Sequence, residues 1–264
     1  MDNNPKFVIK QYVVGKERVF MVLTPTEKLT DVEYDELKPL VEHAGGHWRE
    51  SLGGFCFSTD ALLPFDMQKK NKLQFFPTPL TTANKMVDLL DIKSYKGPVL
   101  KILEPSAGMG DLLEALHTYI KANKMHYSTT ILIKAVEPAQ DFKRTLSSYE
   151  KRFNNVFEYI NDTFENYYER CKSIGASFTH ILMNPPFNQS RDIKHTMMAY
   201  DLLEKGGVLV GIVSENAFHY GKEINAEFKA WIKAADVYVE PLPYGTFECV
   251  GSLVDTVMLK VVKQ

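Results

Sequence analysis

The chain has 264 residues, 45% of them apolar, and a formal net charge of -2. That length and apolar content can bury one large core, or one core with a small appended unit, which excludes a disordered or fibrous chain. The near-neutral charge supplies no global basic field, so any nucleic-acid contact must come from local clusters. Cys56, Cys171 and Cys249 are widely spaced and fit no metal-ligand pattern, which predicts reduced, packed thiols in a cytosolic protein. The opening MDNNPKF has no charged-then-apolar leader pattern, and no apolar run approaches the about 18 residues that span a bilayer. The expectation is a soluble, cytoplasmic protein without membrane contact.

In chain order, FVIKQYVV and ERVFMVLT are β-rich runs joined at Gly15-Lys16, which predicts a hairpin. Thr30 with Glu33 makes a capping box that opens a helix over DVEYDELKPLVEHA, and Gly45 and Gly46 stop it. HWRE and FCFS, separated by SLGG, predict a second hairpin. Residues 1–60 therefore read as a small α+β accessory domain of ββαββ order. His43 and His47 cannot share a helix face across the two glycines, so no metal site is expected there. Residues 61–74 contain Pro64 and a lysine cluster and read as a linker. From residue 75 to 264 the apolar runs PVLKIL, TILIKAV, THILM and GGVLVGIV alternate with helix-like segments. Such alternation predicts an α/β domain, doubly wound around a mostly parallel sheet covered on both faces.

LEPSAGMGDLLEAL follows the run PVLKIL and opens a helix. Gly108 and Gly110 permit a tight turn and close approach of a ligand, while the helix start offers unpaired N–H groups. TILIKAVEP then ends on Glu137, and an acid at the carboxyl edge of a strand suits the two hydroxyls of a ribose. Asp162, in VFEYINDTFEN, can accept a hydrogen bond from an exocyclic amine, with Phe164 close enough to cover a purine face. Asp162 can equally cap the helix that follows.

THILMNPPFNQS places two prolines and an amide directly after a strand. Pro185 and Pro186 fix their own φ and hold the residue before them extended, so the turn is rigid. Neither proline offers an N–H, and the carbonyls together with the Asn184 side-chain oxygen form a pocket for a group with two hydrogens to donate. Phe187 can stack on the planar ring that carries such an amine.

EPSAGMGDL resembles the S-adenosylmethionine-binding motif, and NPPF the catalytic motif, of the amino-group methyltransferases, particularly the DNA adenine (N6) methyltransferases. FFPTP, residues 75 to 79, is similar to their upstream cofactor motif; Thr78 reads there as an N-cap with Pro79 at the first helical position. NAEFKAW, LPYGTF and TVMLKVVK resemble the tail of the same catalytic domain. NPPF by itself is shared with enzymes acting on ribosomal RNA guanine or protein glutamine, and its combination with FFPTP favours adenine. The resemblance implies S-adenosyl-L-methionine as cofactor, held by Phe76, Pro77, Thr78, Glu104, Pro105, Ser106, Ala107, Gly108 and Gly110. By the same resemblance Glu104 and Gly108 meet its methionine part, Glu137 its ribose, and Asp162 and Phe164 its adenine. Asn184, Pro185, Pro186 and Phe187 would carry catalysis on a DNA base that is flipped out or single-stranded.

Members of that family with defined recognition sequences carry a sizeable recognition region, and none fits here. Between NPPF and GGVLVGIV there is only one helix, over RDIKHTMMAYDLLEK, near whose start Asp192 and His195 are placed to touch substrate, though their spacing favours a capping pair. Sequence specificity is therefore expected to be low, with any further contact from a homodimer, a recognition partner or the N-terminal unit. In that unit Trp48, Arg49 and Phe55, with linker Lys69, Lys70 and Lys72, are the candidate DNA-facing residues, while Trp48 and Phe55 also suit the core of so small a domain.

Overall fold

The structure, a computed structural model, describes residues 7–14, 18–25, 30, 34, 46–49, 54–58, 77–125, 130–153, 156–219, 223–243, 246–247 and 254–264. The chain divides into two compact units, Met1–Phe76 with Gly245–Leu253, and Pro77–Tyr244 with Val254–Gln264. This division groups residues 245–253 with the first unit, whereas the sequence reading ran the second domain continuously from 75 to 264.

In the first unit, β1 (Phe7–Val14) pairs antiparallel with β2 (Arg18–Pro25), from Phe7↔Pro25 to Val14↔Arg18. β3 (Gly46–Arg49) and β4 (Gly54–Ser58) form the second antiparallel pair, with Trp48 opposite Phe55 in register. The strand order is β1-β2-β4-β3. Both expected hairpins are present. Of the intervening helix only Tyr34 is described; its N–H donates to the Thr30 carbonyl at 2.9 Å. The rest of that helix, the linker with Lys69, Lys70 and Lys72, and Phe76 lie outside the described residues.

The second unit runs α1 (Leu80–Leu90), β5 (Val99–Glu104), α2 (Asp111–Ala122), β6 (Thr130–Val136), α3 (Lys143–Arg152), β7 (Phe157–Ile160), α4 (Phe164–Ile174), β8 (Phe178–Met183), α5 (Arg191–Asp201), β9 (Leu203–Ser214), α6 (Glu223–Ala234), β10 (Tyr238–Pro241) and β11 (Thr256–Val262). The seven strands order as β10-β11-β9-β8-β5-β6-β7. Strands β9, β8, β5, β6 and β7 are parallel, and β10 and β11 pair antiparallel at one edge. This is the doubly wound, mostly parallel sheet expected from the apolar runs.

Its centre is dry on both sides. Every residue of β8 is buried, so its side chains face cover whichever way they point. Leu103, Ile181, Met183, Leu209 and Val213 pack with Phe164, Ile193, Ala199 and Phe228 of α4, α5 and α6. The alternate residues Ile102, Leu182, Val210 and Ile212 are at most 1% exposed and lie on the opposite face. The polar Thr179 inside β8 is satisfied by Lys101 of β5: its hydroxyl donates to the Lys101 carbonyl and accepts the Lys101 N–H, each at 2.9 Å. Neighbouring His180 is pushed down to about 4 by burial and is neutral at physiological pH.

The helix expected over RDIKHTMMAYDLLEK stops at Asp201. Leu202 and Leu203 are 2% and 3% exposed, and Leu203 already pairs with Phe178 as the first residue of β9. Burying two leucines at the start of β9 outweighs one more helical turn. No helix among the described residues is long and apolar enough to cross a membrane.

Candidate functional site

Four residues with acid or amide side chains stand at the carboxyl ends of adjacent parallel strands: Asn184 after β8, Glu104 at the end of β5, Glu137 after β6 and Asp162 after β7. In a doubly wound sheet the crevice at these ends is where ligands bind, because successive crossovers part to opposite faces there.

Glu104 is 2% exposed. Its Oε1 accepts the Ser106 N–H at 3.0 Å, and its Oε2 is a buried oxygen without a partner among the described residues. Burial pushes this carboxyl up to about 8, the Ser106 N–H opposes the shift, and the Glu137 charge adds to it. Pro105 and Ser106 make the turn, and the Ala107 N–H ties it to the Val136 carbonyl at 3.0 Å. Gly108 (φ 52°) and Gly110 (φ 89°) then take left-handed conformations that side chains disfavour. Gly110 is the N-cap of α2.

Beneath Gly110 lies Tyr149 of α3, 4% exposed, whose hydroxyl donates to the Gly110 carbonyl at 3.1 Å. A Cβ on Gly110 would stand 2.8 Å from the Tyr149 ring. Arg152 forks onto Glu114 of α2 at 2.6 and 2.8 Å, clamping α3 to α2 behind the turn and holding the Glu114 carboxyl below the usual range. Tyr149 and Arg152 were not foreseen from the sequence, because nothing local announces which helix supports a glycine turn.

Glu137 accepts the Gly108 N–H on Oε2 at 2.9 Å and the Ala139 N–H on Oε1 at 2.8 Å. Burial raises its carboxyl, and these two bonds oppose the shift. Asp162 accepts from the Thr163 N–H and the Asn166 side chain on Oδ1 and pairs with Arg170 through Oδ2 at 3.0 Å. The Asn166 amide first, then the Thr163 N–H and Arg170, hold its carboxyl low. Thr163, not Asp162, is the N-cap of α4, although Asp162 supports the same first turn. Phe164 is 2% exposed and packs edge-to-face on His195 at 5.3 Å, the environment of a core residue.

The NPPF segment follows β8 with Pro185 buried and Asn184, Pro186 and Phe187 half-buried. Among the described residues no peptide bond is cis. Gln189 and Ser190 then adopt successive left-handed conformations before α5 begins. Asn184 Nδ2 donates to Thr78 Oγ1 at 3.0 Å, and the Thr78 N–H donates to Asp111 Oδ2 at 3.2 Å. The N-cap reading of Thr78 is thereby corrected: Pro79 occupies the cap, no side chain bonds the helix start, and the hydroxyl serves Asn184 instead.

The capping reading of Asp192 and His195 is corrected too. Ser190 is the N-cap of α5. Asp192 is 2% exposed and accepts the Ser214 N–H at the end of β9, while His195 is 4% exposed and meets Glu165 of α4 at 3.1 Å through Nε2. Both face inward from the first turns of α5, where packing rather than capping decides. Among the described residues no group of three His, Cys, Asp or Glu could hold a metal ion.

No family profile and no curated protein matches the sequence. Solved structures do match its fold. The type I restriction-modification methyltransferase subunit of Streptococcus thermophilus aligns with a TM-score of 0.58 at 15% identity, over 74% of this chain and 47% of that one. The M protein of the type I restriction enzyme EcoKI aligns at 0.55 and 13% identity, over 89% and 55%. A Listeria monocytogenes protein provisionally classed as a class I S-adenosylmethionine-dependent methyltransferase aligns at 0.54 and 15%, over 75% and 65%. The chain thus spans about half to two thirds of the length of these structures. The fold is that of the Rossmann-like S-adenosylmethionine-dependent methyltransferases.

Proposed function

We propose that the protein transfers a methyl group from S-adenosyl-L-methionine to the exocyclic N6 amine of adenine in DNA. The observation that carries this reading is the arrangement of Glu104, Glu137, Asp162 and Asn184 at the ends of neighbouring strands, with NPPF beside the glycine turn. The residues fit that cofactor. Glu104 brings a buried oxygen without a partner among the described residues, and the left-handed Gly108 and Gly110 shape the turn beside it, so the methionine part, with its cationic amine, is assigned there. Glu137 is assigned to the ribose and Asp162 to the adenine amine.

The cofactor supplies an electrophilic methyl group. Asn184 and the carbonyls beside Pro185 and Pro186 hold the two hydrogens of the target amine, and Phe187 covers the ring that carries it. Holding those hydrogens pulls the nitrogen lone pair out of conjugation, which makes a poor nucleophile a usable one. An amide cannot take a proton near neutral pH, so the proton displaced as the N–C bond forms and the S–C bond breaks leaves to water.

DNA as substrate draws support from the two restriction-modification neighbours, and residues 1–60 with the linker 61–74 are assigned a steering or partner-binding role. Incubation of the protein with tritiated cofactor and unmethylated DNA, followed by nucleoside analysis, tests the reading. Label on N6-methyladenine is expected; label on guanine, or on a protein glutamine, overturns it.

A further inference from the structure

We infer that Thr78 is a positioning residue for the transfer step, its hydroxyl holding the Asn184 amide so that the amide oxygen is the end left for the target amine. The inference rests on the function proposed above. An asparagine carries an acceptor and a donor end of nearly the same shape, so a catalytic loop that must present the oxygen needs something to engage the nitrogen. Here Asn184 Nδ2 donates to Thr78 Oγ1 at 3.0 Å across 106 residues of sequence.

Thr78 is well built for that task. It is 5% exposed, so water does not compete for its hydroxyl. It stands directly before Pro79, whose ring biases the Thr78 backbone toward an extended shape. Its N–H is tied to Asp111 Oδ2 at 3.2 Å, at the first residue of the helix that opens from the glycine turn. A threonine heading a helix would ordinarily spend its hydroxyl on the cap. The start of α1 has no side-chain cap bond, and among the described residues the hydroxyl's partner is Asn184. One residue therefore joins the helix start beside the cofactor turn to the catalytic amide.

The test compares Thr78→Val, which keeps the shape and removes the hydroxyl, with Thr78→Ser, which keeps the hydroxyl, both in the full chain. Single-turnover transfer at saturating cofactor should fall about tenfold in Thr78→Val, the loss of one orienting hydrogen bond, and stay near wild type in Thr78→Ser. Cofactor affinity by calorimetry should fall by less than the transfer rate does in Thr78→Val, since the hydroxyl faces Asn184. With asparagine-selective 15N labelling, the Asn184 side-chain amide resonances should move in Thr78→Val and not in Thr78→Ser. A wild-type transfer rate in Thr78→Val, an equal loss in both variants, or a cofactor-affinity loss matching the rate loss overturns the inference. If the wild-type protein transfers no label to DNA adenine, the proposed function falls and the resonance alone decides: an unmoved Asn184 amide in Thr78→Val overturns the positioning role.

Discussion

Asp192 Oδ2 accepts the backbone N–H of Ser214 at 2.9 Å, with both residues buried. The bond joins the first turn of α5, which issues from the NPPF segment, to the end of β9. Ser214 in turn accepts the Asn216 N–H at 3.1 Å on its hydroxyl, so the two loops that follow β8 and β9 are held together by one carboxylate. Asp192→Ala leaves the Ser214 N–H dry and unpaired and should destabilise the fold by about 1–3 kcal/mol. Asp192→Asn keeps an acceptor and should cost less than half as much. Urea unfolding of the three proteins side by side measures the difference.

Gly110 and Gly175 both have positive φ, at 89° and 67°, yet only Gly110 faces a neighbour. A Cβ on Gly175 meets nothing within 4 Å, so Gly175→Ala should lose about 1 kcal/mol, the left-handed penalty alone. At Gly110 the Cβ meets the Tyr149 ring at 2.8 Å, and that ring is stacked on Phe153 and cannot retreat cheaply. Gly110→Ala should lose a further 1–3 kcal/mol or so. It should also weaken binding of the proposed cofactor, which Gly175→Ala should leave unchanged. Denaturation and calorimetry on both variants read the two effects.

Glu104 has a folded-state carboxyl near 8 against an ordinary 4.5. The folded protein therefore binds a proton there that the unfolded chain has already released. Between pH 4.5 and 8 this group makes stability fall as pH rises, with a slope of at most about 1.4 kcal/mol per pH unit. Glu104→Gln, which stays neutral, should match wild type near pH 4.5 and exceed it in stability at pH 9. The same variant should bind the proposed cofactor more weakly, because the neutral amide cannot compensate a cationic amine. Melting curves across that pH range, with calorimetry at pH 8, test both signs.

Asn184→Ala removes the acceptor assigned to the target amine while leaving the glycine turn and Glu137 in place. Turnover should fall by about 10²–10³, the usual loss of one oriented partner at a reacting group, with cofactor affinity within about twofold of wild type. Matched losses in both quantities would remove Asn184 from the transfer step.

The order of strands and helices was legible in the chain because a strand buried on both faces must be continuously apolar. THILM, buried throughout, could serve little else; PVLKIL and TILIKAV supply β5 and β6, although β6 leaves Thr130 and Leu132 exposed on one face, and FVIKQYVV coincides with β1 residue for residue. The glycine turn was equally readable, since Gly108 and Gly110 are required wherever φ is positive and backbone must be approached. What the sequence could not determine is which polar side chains meet across long separations. Thr78 looked like a helix cap because a hydroxyl before a proline-led helix usually is one, and only the packing of α1 beside β8 brought Asn184 within 3.0 Å of it. Asp192 and His195 looked like a capping pair by spacing, and only the burial of α5 against β9 and α4 turned both inward. The antiparallel edge formed by β10 and β11 likewise depends on pairing with β9, a partner more than forty residues away in Val213↔Val257. Local patterns encode an element's period and its breaks. The partner of a buried polar group is decided by which elements the hydrophobic core stacks together, a property of the whole chain.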